Sequence, residues 1–262
     1  MARIFQASTL FALESGNYDY TISLEYFMKN GNFGVGTYNG LNGEAIFLDG
    51  VAYNATGSGN VKIMDIPQTG ITFGQIVPFD KTVPDETVLS FKDLPELEEK
   101  LASLFPRGKN YFYAICAHAL FDTITVRSGY KQRKPFRPFD IVASEMRQYS
   151  YNKIPGTLIG FFSPDYSKGL SEVGFHFHFL DDAHKVGGHV LALSGSDLKV
   201  KINLIDKYEI KFPVNKEFIA LFGNAPVEKP SETKEMKEEE KKAEEAKAEA
   251  EAAKPAPAPK AK

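Results

Sequence analysis

Between residues 32 and 64, short apolar or alternating segments recur at 32–38, 44–48, 51–54 and 61–64, separated by Gly, Asn and Asp. Alternation with a period of two suits half-buried strands, and the intervening residues suit tight turns, so this stretch predicts a meander of hairpins. Residues 71–77 predict a further strand, and 110–116 with 120–127 a following pair. Segments 156–162, 174–180, 188–193 and 200–205 complete the series. Helical periodicity is rarer. It appears at 20–28, at 94–104 with an apolar face of Leu94, Leu97, Leu101 and Leu104, and briefly near Phe218. An early helical turn is expected at 8–13. No internal repeat is visible. The expected fold class is α+β: largely antiparallel or mixed β-sheets with a few helices.

The pattern stops near Pro226. Residues 1–226 therefore read as the body, in one or two β-rich subdomains, and 227–262 as a Lys/Glu/Ala-rich tail. Over 231–254, Glu and Lys at helical spacing would support an exposed helix with almost no apolar stripe. Alternating Pro and Ala at 255–259 cannot be helical and predict an extended, mobile end.

Composition narrows the function classes. A chain with 43% hydrophobic and 25% charged residues is ordinary globular material. A formal charge of -3 is too small to gather nucleic acid or an anionic membrane. Lys131, Arg133, Lys134 and Arg137 cluster, but Pro135 and Pro138 interrupt them, as in a solvated loop. One cysteine, Cys116, excludes an internal disulfide and any multi-cysteine metal site, so a metal would rely on His and carboxylate. With no apolar h-region at the start and no apolar run near the roughly 20 residues of a membrane span, a cytoplasmic protein is expected.

The segment Gly174-Phe-His176-Phe-His178-Phe-Leu-Asp-Asp, continued by His184-Lys-Val-Gly-Gly-His189, carries the chemistry. Side chains two apart on a strand share a face, so His176 and His178 project together while Phe175, Phe177 and Phe179 fill a core behind them. A turn centred between Ala183 and His184 would bring His189 opposite His178. Three imidazoles with a fourth position open are what a catalytic zinc needs. His184 reads as a solvent-facing turn residue, and His118 as a structural residue between two strands. The three histidines alone do not name a reaction: a hydratase, a hydrolase, a cupin-like enzyme or a non-catalytic metal-binding protein could present them.

Further segments make the choice. Gln6-Ala-Ser-Thr-Leu10, Gly16-Asn-Tyr-Asp19, Gly31-Asn-Phe-Gly-Val-Gly-Thr37-Tyr-Asn-Gly-Leu-Asn-Gly-Glu44 and Gly156-Thr-Leu-Ile-Gly-Phe-Phe-Ser-Pro-Asp-Tyr166 precede the histidine motif. Together with it, over residues 5–220, they resemble the α-acetolactate decarboxylases. The sequence departs from the family's usual residues at Asn42 and Phe175. The resemblance implies zinc held by His176, His178 and His189, with Glu44 and Arg127 as catalytic groups and Thr37 and Arg127 at the substrate. It also implies a glutamate from the C-terminal segment, at Glu235 or its rivals Glu228 and Glu232, and a homodimer. The implied reaction turns 2-acetolactate into acetoin and carbon dioxide through a metal-stabilised enediolate, on the butanediol route. Acetolactate is a β-keto acid with a hydroxyl beside the keto group, so its decarboxylation calls for stabilised charge on the carbonyl oxygen and a proton donor.

Overall fold

The computed structural model describes residues 2–221; the tail expected at 227–262 lies outside them, and Glu228, Glu232 and Glu235 with it. The first half of the chain holds β1 (Ala2–Ala7), α1 (Leu10–Glu14), β2 (Ile22–Ser23), α2 (Leu24–Met28), β3 (Phe33–Tyr38), β4 (Glu44–Leu48), β5 (Val51–Ala55), β6 (Val61–Ile63), β7 (Gly70–Val77), β8 (Glu86–Phe91) and α3 (Leu94–Ser103). The second half holds β9 (Phe112–Ser128), α4 (Phe139–Ser144), β10 (Arg147–Ser163), β11 (Gly174–Asp181), β12 (Gly187–Lys211) and α5 (Lys216–Ala220).

All twelve strands among the described residues belong to one sheet whose main path runs β11-β10-β9-β12-β1-β7-β3-β4-β5-β6. β11 also pairs with β12, so β9, β10, β11 and β12 close on themselves. The inward residues of this ring, among them Ile115, Phe121, Phe177 and Phe179, form one core with Leu97 and Leu101 of α3. Asp93 caps that helix by accepting the Glu96 N–H at 2.9 Å. The expected meander appears as β3-β4-β5-β6, antiparallel throughout.

Several elements differ from the sequence expectation. Residues 110–116 and 120–127 are not a pair but one strand, β9, and His118 lies inside it rather than between strands. The buried-exposed alternation runs unbroken through Ala117, His118, Ala119, Leu120 and Phe121, which leaves no place for a turn. Segments 188–193 and 200–205 likewise belong to the single strand β12; Gly195-Ser-Asp197 is a register shift against β9, not a turn. The helix expected at 20–28 begins only at Leu24, because Ser23 caps it by accepting the Tyr26 N–H at 3.2 Å. β1, β8 and α4 were not expected as elements. β1 pairs in parallel with β12, the connection that makes the sheet mixed.

Candidate metal centre

The β11–β12 hairpin forms with His178 directly opposite His189. On the other side of β12, His189 faces Arg127 of β9. His178, His189 and Arg127 thus form one row across three neighbouring strands, with His176 two residues along β11 on the same face. Phe177 and Phe179 point the other way into the ring's core, as the sequence pattern requires. The Gly before His189 is forced by close approach: a Cβ at Gly188 would stand 2.7 Å from the Arg127 carbonyl oxygen.

The ligand atoms of His176, His178 and His189 all lie within 4.8 Å of one another, a spacing that one metal ion can span. The His178 Nδ1–H donates to the Ala45 carbonyl oxygen at 2.9 Å. That bond fixes the ring and leaves Nε2 with its lone pair for a ligand. Burial, reinforced by the Arg127 charge, lowers the His176 pKa to about 4. Burial first, and then the neighbouring imidazoles and Arg127, push His178 and His189 well below the usual histidine range. Three neutral imidazoles are the protonation state in which histidine binds metal.

β4 supplies the carboxyl group. Glu44 Oε2 stands 3.4 Å from His178 Nε2, and the Glu44 side chain is 13% exposed. Burial raises its pKa to about 7, with Arg127 pulling in the opposite direction. Gly43 sets the approach: its φ is +71°, and a Cβ there would lie 2.1 Å from Asn54 Oδ1. Thr37 on β3 pairs with Glu44 and donates its hydroxyl to the Gly43 carbonyl at 2.8 Å, which leaves the hydroxyl oxygen as an acceptor. Arg127 Nε is buried and has no hydrogen-bond partner among the described residues.

These groups meet in a cleft of about 80 Å³ with apolar walls that include Leu10, Leu13, Leu41, Phe73, Phe139 and Met146. Glu14 and Glu172 also line it, and burial raises the Glu172 carboxyl, aided by the charge on Glu14. Sequence reading missed both acids. Glu172 lies four residues before His176, and that proximity was the one available signal; Glu14, on α1, gave none. His118 is 3.1 Å from Asp182 on the exposed side of β9, away from the histidine cluster. His184 is exposed at the turn, and its Nδ1 shares a 3.2 Å hydrogen bond with the Tyr53 hydroxyl. Glu235 lies outside the described residues.

A sheet face that brings three neutral imidazoles, a carboxyl group and an arginine to one small cleft has the layout of a metalloenzyme centre. The family model for alpha-acetolactate decarboxylase matches residues 4–221, and the chain belongs to that family. The alpha-acetolactate decarboxylase of Methylococcus capsulatus is 37% identical over 215 residues, covering 80% of each chain. The Bacillus subtilis enzyme is 29% identical, with 90% of each chain covered. A crystal structure of the B. subtilis protein superposes with a TM-score of 0.77, over 87% of this chain and 94% of that one.

Proposed function

We propose that the protein decarboxylates 2-acetolactate to acetoin and carbon dioxide, with zinc held by His176, His178 and His189. The observation that carries this reading is the meeting of three ligand-ready imidazoles with Glu44 and Arg127 in one cleft, in a chain of this family. When bound, zinc supplies Lewis-acid polarisation of the substrate's keto group.

The chain's own residues supply the rest. Arg127 binds the substrate's anionic oxygens; its buried Nε–H lacks a partner, and a bound anion relieves that unmet donor. Thr37 offers its hydroxyl oxygen to the substrate's hydroxyl, since its own proton is already given to Gly43. Glu44, raised toward neutrality by burial, holds the proton that must reach the carbon losing carbon dioxide. The apolar walls receive the two methyl groups and keep bulk water from that proton transfer. Glu235 is assigned as a second acid from the C-terminal segment, with Glu228 and Glu232 as alternatives. Residues 1–226 are the catalytic body and 227–262 an appended tail. A cytoplasmic homodimer on the butanediol route is the setting that the family resemblance supports.

The test is acetoin formation from racemic acetolactate by purified protein, before and after chelation and after zinc is restored. Activity should vanish with the chelator and return with zinc. Stoichiometric zinc binding without acetoin would sink the decarboxylase reading and leave a three-histidine site for another substrate.

A further inference from the structure

We propose that Asp181 is a positioning residue for the three-histidine centre: its carboxylate fixes the turn between β11 and β12 and so determines where His189 meets His176 and His178. The inference rests on the metal reading above.

Asp181 is the last residue of β11 and is 7% exposed. One carboxylate oxygen accepts two backbone N–H groups across the turn, from Lys185 at 2.6 Å and Val186 at 2.7 Å. The backbone of the same residue donates to the Val186 carbonyl at 3.1 Å and accepts the His184 N–H at 2.9 Å. Asp181 thereby closes the turn with four hydrogen bonds. The turn needs such a tie, because His184 sits at φ +53°, which is costly for a residue with a side chain.

The ladders do not hold His189 by themselves. β11 and β12 share three residue pairs, and His178 with His189 is the last of them. The longer β9–β12 ladder shifts register between Val190 and Ala192, so beyond that break two pairs anchor His189 to β9. A slip of one residue would turn the imidazole to the opposite face of the sheet. β11, by contrast, is held by eight pairs with β10, from Gly156 with Asp181 to Ser163 with Gly174. Asp181 sits at the end of that firmly held strand and transmits its position to β12. Neighbouring elements grip the same turn: Val61 N–H donates to Lys185 O at 2.9 Å, and Asp182 N–H to Pro155 O at 3.2 Å.

Because a single oxygen accepts both bonds, acceptor geometry and not charge should matter. The test uses full-length Asp181→Ala, Asp181→Asn and Asp181→Glu, with Asp93→Ala as a destabilised control that loses the α3 cap. Zinc affinity is measured by competition with a chelator, the Co(II)-loaded visible spectrum reports coordination geometry, and melting of the metal-free protein reports the fold. Asp181→Ala should bind zinc about 10–100-fold more weakly than wild type. Asp181→Asn should restore both affinity and spectrum. Asp181→Glu, which keeps the charge but displaces the oxygen, should bind worse than Asp181→Asn, and that ordering decides the matter even if the alanine variant fails to fold. Asp93→Ala should melt earlier with unchanged zinc affinity. Wild-type affinity in Asp181→Ala, the reverse order for Glu and Asn, or an equal affinity loss in Asp93→Ala would overturn the proposal. Absence of zinc binding by the wild type would instead overturn the metal reading beneath it.

Discussion

Glu44 and Arg127 lie on strands distant in sequence, and the guanidinium acts on the chemistry of the carboxyl group. Burial raises the Glu44 carboxyl while the guanidinium restrains that rise. Replacing Glu44 by Gln keeps the shape and removes the transferable proton. Turnover should fall by about 10²–10⁴-fold with zinc content unchanged; near-normal acetoin formation by this variant would remove Glu44 from proton transfer. Arg127→Lys keeps the charge but loses the planar fork, and kcat/KM should drop by about 10²-fold or more. A lysine variant with wild-type kinetics would show that a point charge suffices. Single residues differed in how legible they were. His176, His178 and His189 announced themselves through spacing and a turn, whereas Glu44 and Arg127 needed the family resemblance to stand out from ordinary surface charges. Glu14 and Glu172 stayed hidden because a lone acid carries no periodicity, and only the fold brings it to a cleft; Asp181 was legible as part of the polar turn, but the bonds its carboxylate makes there were not.

Among the elements, the β11–β12 hairpin was the most readable, since local alternation and a polar turn fixed both its faces and its register. α3 was readable for the same kind of reason: Leu97 and Leu101, four apart, are both fully buried against the ring. Leu101→Ala should lower unfolding stability by about 2–5 kcal/mol. In chemical denaturation the midpoint should shift while zinc affinity holds, because α3 packs behind the ring and not at the cleft; an equal loss of zinc affinity would contradict that separation. The long strands were misread where small or polar residues interrupted an apolar run. In β12, Gly195-Ser-Asp197 has turn chemistry, yet the strand absorbs it as an irregular register with Asp197 at φ +53°. Pairing with β8, which spans the break from Gly195 to Val200, overrides the local preference.

At the scale of the molecule, β1 is the seam. It lies between β7 and β12, antiparallel to one and parallel to the other, and links the meander half of the sheet to the ring half. Ile4 and Phe5 are buried on its two faces, in different core clusters. Ile4→Ala should cost about 2–5 kcal/mol, and hydrogen exchange should show faster opening in both β3–β7 and β9–β12; protection lost on one side alone would mean that β1 does not couple them. No local pattern revealed this role, because a parallel pairing between residues 2–7 and 205–211 leaves no mark in either segment.

That seam also has a history in time. β1 is synthesised before the other described strands, but one of its two partners is complete only when Lys211 emerges. At roughly 5–20 residues per second, the ribosome needs about 10–40 s to span that distance. β7, which supplies the antiparallel neighbour, is made far sooner. Until Lys211 emerges, β1 can pair only with β7, and its other edge lacks the parallel partner it has in the finished sheet.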